Sequence, residues 1–224
     1  MALNKTEKLG YALLGIILIY SLYLGFTNPD YFNNTYAAED HTVENGTAFM
    51  LLCISLLCLV RLFTISKGKS ITWKLGVLLF AIVFFFGAGE EISWGQRIFG
   101  IESGEYFLQH NAQKETNLHN LVVGDTKINK IIFSQLLMIG MVVYLLAVPL
   151  MYRKMGWVKN LADKFAVPVV KWHQTIAFIA ATVAVALIPA DRKWEVYELA
   201  FGLIFFLIFL YPLNGYLFKK GQFN

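Results

Sequence analysis

An all-α bundle of membrane-spanning helices is the fold this sequence predicts, and three observations predict it. The composition is 57% hydrophobic, 16% aromatic and only 15% charged, against roughly 25% charged in a soluble domain. The apolar residues gather into six stretches of about the length that crosses a hydrocarbon core. Lys and Arg concentrate in alternate connections between them. A backbone in lipid has no water to bond with, so each stretch must close its own hydrogen bonds as a helix.

The expected spans are residues 9–26, 46–65, 72–91, 128–152, 167–189 and 196–218, making residues 1–224 one polytopic domain. The first follows Lys5 and Lys8 and could be mistaken for a signal peptide. Its apolar core is longer than an h-region and no small-residue cleavage site closes it, so it reads as an uncleaved first helix. The second holds Cys53 and Cys58. Five residues apart on a helix they point about 140° apart, which suits burial as small apolar residues rather than a disulfide.

Charge sets the expected orientation. The N-terminus (Lys5, Lys8), the connection after the second span (Arg61, Lys67, Lys69, Lys74), the one after the fourth (Arg153, Lys154, Lys159, Lys164) and the tail (Lys219, Lys220) share one side. The positive-inside rule makes that side, with both termini, cytoplasmic. Residues 31–44, 99–129 and 191–194 then face outward, as expected in a bacterial inner membrane. The +4 net charge serves topology and attraction to anionic lipids, with no role for nucleic acid.

The third span ends in "GEEISWGQR", residues 89–97. From Lys74 the chain has about 15 residues, roughly 23 Å of helix, before Glu90. That places Glu90 and Glu91 below the outer headgroups, where an ionisable side chain costs a few kcal/mol unless it finds a partner or a wet cavity. Candidate partners come from the outward polar segment, residues 92–127. If "LQHNAQKETNLHNL" is helical, Asn111, Glu115 and His119 share one face, and Gln113, Asn117 and Asn120 lie on another. At the start of the last span "DRKWEVYELAFG" sets Glu195 and Glu198 three apart on one face. Glu90 or Glu91, Glu115, His119 and Glu198 are expected to converge.

The strings "GEEISWGQRIFG" and "NAQKETNLHNL" resemble a group of bacterial multi-pass membrane proteins. The resemblance covers residues 89–121 and implies one shared site containing Glu90, Glu91, Ser93, Trp94, Gln96, Arg97, Asn111, Gln113, Glu115, Asn117, His119 and Asn120. It supplies no reaction. A more general similarity to the membrane-embedded ceramidase and adiponectin-receptor hydrolases implies an intramembrane metal. Those enzymes use several histidines. Here only His119 is well placed: His173 falls near the cytoplasmic end, His41 lies in the first outer loop, and His110 points off the Glu115/His119 face.

Carboxylates with one histidine suit Zn, Mn or Fe(II). Glu91, Glu115, His119, Glu195 and Glu198 are the candidate ligands. A metal-bound water, or an acid/base pair among Glu90, Glu91, Glu115 and His119, would attack a lipid or lipid-linked substrate. Ser93, Trp94, Gln96, Arg97, Asn111, Gln113, Asn117 and Asn120 would hold that substrate. Three other readings stand beside this one: a proton- or cation-coupled transporter or channel, a non-catalytic scaffold subunit, and a structural clasp in which Glu90 or Glu91 pairs with Arg97 or Lys114. The near absence of charge in mid-span favours the enzyme over a conduction path.

Overall fold

The computed structural model describes residues 3–118, 120–123, 126–127 and 137–219. The described residues are all-α apart from a two-residue antiparallel ladder, Val122–Val123 with Thr126–Lys127.

Helix α1 (Lys5–Thr27) starts at a capping box. Asn4 Oδ1 accepts the Glu7 N–H at 2.8 Å and Glu7 Oε2 accepts the Asn4 N–H at 3.0 Å. A cap follows, built from Pro29–Tyr31 and a π-helical turn, Phe32–Tyr36, with Phe32 fully buried. Helices α2 (Thr42–Ile65) and α3 (Ile71–Glu91) form a hairpin around Gly68, where a left-handed φ of 76° suits glycine. Helix α4 (Ile139–Lys154) meets α5 (Gly156–Lys164) at a bend of 116°. Helix α6 (Trp172–Ala186) is followed by α7 (Lys193–Leu210).

Helix α7 is the axis of the bundle, with buried side chains all round it from Val196 to Phe209. It packs against α1, α2 and α6. Gly46 of α2 sits under Leu199, and Gly202 of α7 sits under Met50, so each helix offers the other a glycine at closest approach. The outward faces are apolar, including Leu9, Ile16, Phe63, Leu79 and Ile82. An apolar exterior is stable only where the surroundings are apolar too.

Helices α1, α2 and α3 are long and apolar enough to cross a membrane, and the bent pair α4–α5 makes a fourth if counted as one span. These agree with the first three expected spans to within a few residues. The last three differ. The described part of the fourth ends in the sharp bend. The fifth has only 15 helical residues, because Pro168 and a left-handed Ala166 (φ 54°) keep the preceding segment extended. The sixth carries Lys193, Glu195 and Glu198 within its 18 residues.

The helix expected across Asn111, Glu115 and His119 does not form, and the shared stripe is corrected accordingly. Helix runs only from Glu105 to His110. Asn111 is extended, with φ −101° and ψ 132°. Its side-chain oxygen accepts the N–H groups of Gln113 at 2.8 Å and Glu115 at 3.2 Å. An asparagine that takes up the next backbone donors competes with the helix ladder and ends it.

Candidate functional site

The C-terminal end of α3 turns on three consecutive left-handed residues: Ser93 (φ 46°), Trp94 (φ 56°) and Gly95 (φ 75°). For Ser93 and Trp94 this conformation costs roughly 1–2 kcal/mol each, so surrounding contacts must hold it. Trp94 donates its indole N–H to Glu90 Oε1 at 2.8 Å and sets its ring edge-on to Phe86. Gly89 lies directly beneath that ring, at a distance a Cβ could not share. Glu90 Oε2 accepts the Leu118 N–H at 2.6 Å, so one carboxylate fastens the turn to the polar segment that follows.

Glu115, Asn117 and Asn111 complete the fastening. Ser93 donates its hydroxyl to Glu115 Oε2 at 2.5 Å and accepts from Asn117 Nδ2 at 2.8 Å. Asn111 Nδ2 donates to the Asn117 backbone carbonyl at 2.9 Å and to its side-chain oxygen at 2.8 Å. Gln96 accepts the Thr116 N–H at 2.8 Å and donates to Ser103 at 2.6 Å. Asn120 donates to Gln113 at 2.7 Å. Glu90, Ser93, Ser103, Asn111, Glu115 and Asn117 are all buried. Buried polar groups are stable only when bonded, and this network bonds them to one another.

Arg97 reaches out of the network. Its guanidinium pairs with Glu115 on one side and with Asp40 of the α1–α2 connection on the other. The same loop is held a second time where Glu39 meets Arg192, just before α7, at 2.9 Å. Asp40 donates its backbone N–H to Glu44. The α1–α2 connection is thus tied to both the α3 turn and the start of α7.

Beneath these ties lies a second group of acids. Glu44 in the first turn of α2, Glu91 at the end of α3, and Glu195 and Glu198 in the first turns of α7 stand within electrostatic reach of one another. Arg192 is the cation whose charge reaches Glu44 and Glu195, and its guanidinium is already bound to Glu39. Glu198 is surface-exposed between the buried Tyr197 and Leu199.

The residues singled out in the sequence therefore divide into two sets. Glu90, Ser93, Trp94, Gln96, Arg97, Asn111, Gln113, Glu115, Asn117 and Asn120 form the network. Glu91, Glu195 and Glu198 form the acid group. Glu115 sits in the network, not with the other acids proposed as ligands. His119 lies outside the described residues. Among the described residues, no three His, Cys, Asp or Glu side chains are grouped so as to hold a metal ion. Sequence reasoning missed Asp40, Glu39, Arg192 and above all Glu44.

The chain matches no protein-family model, no curated protein and no solved structure.

Proposed function

We propose that this protein is a membrane-embedded enzyme that acts on a lipid or lipid-linked substrate at the outer end of its bundle. Glu91 and Glu198 serve as the acid/base pair, and Glu44 and Glu195 surround them. The observation that carries this reading is the gathering of four carboxylates from three helices at the bundle's end. Carboxylates whose charges act on one another titrate as a group, and a group that takes up and releases protons is what general acid/base catalysis requires. The Ser93/Glu115 network has a different part here. It holds the α3 turn, and with it Glu91, in one geometry.

A Zn, Mn or Fe ion remains the alternative form of the same reading, with His119 joining Glu91, Glu195 and Glu198. The proposed setting is a bacterial inner membrane crossed six times, with both termini and residues 153–164 cytoplasmic.

The test uses the purified protein in vesicles of total bacterial lipid, followed by mass spectrometry of the lipids. Wild type is expected to convert a lipid species, and Glu198→Gln and Glu91→Gln to lose that conversion by roughly 10²–10⁴-fold with unchanged melting. Conversion that survives in both variants would refute the assignment. Dissipation of an imposed pH gradient, lost in Glu198→Gln and without any lipid product, would establish a transporter instead.

A further inference from the structure

We propose that α5 lies in the headgroup plane at the end of the bundle opposite the Ser93/Glu115 network, where it holds anionic phospholipid. This inference does not depend on the acid group or on any catalytic role.

Its position follows from the backbone. The break falls at Met155, which is extended with φ −119° and ψ 111°. With a bend of 116°, α4 and α5 cannot both run along the bilayer normal. Helix α4 is apolar and its 16 residues rise about 24 Å along their axis, so α4 is the one that enters the bilayer. Helix α5 has nine residues and is about 14 Å long, too short to cross. Just beyond it, the Phe165 backbone presses on Gly76, in the second turn of α3. Glu90 lies 14 residues further along that helix, about 21 Å away.

The sides of α5 suit an interface. Val158 and Ala162 face inward and are buried, Ala162 packing with Tyr152 and Val169. Trp157 is 64% exposed and Leu161 51%, and they share a stripe about 40° wide next to that buried face. Lys159, Asn160 and Lys164 are exposed on the remaining side. A helix with an uncovered Trp/Leu stripe and lysines on its polar side is the pattern of one lying flat at a membrane surface.

Charge complementarity identifies the occupant. The acid of α5, Asp163, is turned inward, accepting from Tyr152 at 2.9 Å, from Asn214 at 3.1 Å and from Tyr216. Arg153 is also engaged, donating to the carbonyls of Pro149 at 2.6 Å and Val170 at 3.3 Å and lying 4.5 Å from the Trp172 ring centre. Lys154, Lys159 and Lys164 are exposed: Lys164 lies next to the stripe, 5.8 Å from the Phe165 ring centre, Lys154 stands just before the bend, and Lys159 is on the opposite side of α5. Three flexible ammonium groups on this short helix and its junction, with an apolar strip between its buried face and Lys164, fit the phosphate and acyl boundary of an anionic leaflet.

Two measurements on the full-length protein decide the matter, in phosphatidylcholine vesicles with and without about 30% phosphatidylglycerol. In the first, a nitroxide is placed by Leu161→Cys in a Cys53→Ser, Cys58→Ser background. It is expected to collide with lipid-dissolved oxygen far more than with a water-soluble nickel chelate, at a depth of about 5–10 Å. In the second, phosphatidylglycerol is expected to raise the melting midpoint of wild type by several degrees. The triple variant K154Q/K159Q/K164Q should lose that rise, and the matching Lys→Arg triple should keep it. The control K5Q/K8Q should keep most of it. A label open to the nickel chelate would overturn the proposal. So would a label shielded from both reagents, which would mean a protein or a second copy covers the stripe, or an equal phosphatidylglycerol effect in wild type and the Gln triple.

Discussion

Glu115 accepts the Ser93 hydroxyl, lies 3.3 Å from Asn117 Nδ2 and pairs with Arg97, all in a buried setting. Replacing it with glutamine keeps the shape, removes the charge and turns one acceptor into a donor facing two others. Glu115→Gln is expected to cost about 2 kcal/mol, the scale of a hydrogen bond to a charged group. Gln113→Ala loses only the half-buried bond to Asn120 and should cost less than about 1 kcal/mol. Thermal unfolding in detergent compares them, and equal melting of Glu115→Gln and wild type would contradict the account of the network. The sequence singled out these residue types because acids and amides in an apolar chain need partners. It could not pair them, because pairing depends on the left-handed turn at Ser93–Gly95 and on Asn111 stopping its helix. Glu44 escaped notice for a related reason. An acid in the first turn of a helix is common, since it complements the helix dipole, and nothing local marks it as facing Glu91.

The element most dependent on one residue is the junction of α3 with α5. The Phe165 carbonyl lies where a Cβ on Gly76 would be, and backbone cannot swing aside as a flexible side chain can. Gly76→Ala is therefore expected to destabilise by about 2 kcal/mol, within the range for overpacking, and to loosen α5. Gly15, also inside an apolar helix, has open space at its Cβ position. Gly15→Ala should be neutral or slightly stabilising, since alanine has the better helix propensity. Limited trypsin digestion at Lys159 and Lys164, together with melting, separates the two outcomes. Equal trypsin sensitivity of Gly76→Ala and wild type would mean α5 is not anchored there. Hydropathy located α1, α2 and α3 to within a few residues because each is one uninterrupted apolar run. It carried the fourth span only to Tyr152, although helix continues to the bend at Met155. It overextended the fifth because a window average does not register a conformational break such as the extended stretch before Trp172.

Across the whole molecule the two ends carry opposite charge. The start of α1, the α2–α3 hairpin, α5 and the end of α7 share one end, as shown by Lys171 meeting Glu7 at 2.9 Å, Arg61 donating to the Phe209 carbonyl at 2.6 Å, and Phe165 against Gly76. Lys5, Lys8, Lys67, Lys69, Lys74, Lys154, Lys159 and Lys164 lie there, and among the described residues only Glu7 and Asp163 oppose them. At the other end Glu39, Asp40, Glu44, Glu90, Glu91, Glu115, Glu195 and Glu198 outnumber Arg97, Lys114, Lys127, Arg192 and Lys193. Moving so many lysines through a bilayer during insertion is costly, so the basic end should stay cytoplasmic. In a Cys53→Ser, Cys58→Ser background, Ser66→Cys reports on the basic end. For the acidic end Ser103 is unsuitable, being buried and bonded to Gln96, whereas the adjacent Gly104 is exposed with open space at its Cβ position. A membrane-impermeant maleimide applied to intact bacterial spheroplasts is expected to label Gly104→Cys at once and Ser66→Cys only after lysis. Labelling of both without lysis, or of neither, would refute this arrangement. The reverse pattern would put the carboxylates of α2, α3 and α7 on the cytoplasmic side and exclude a substrate arriving from the outer leaflet.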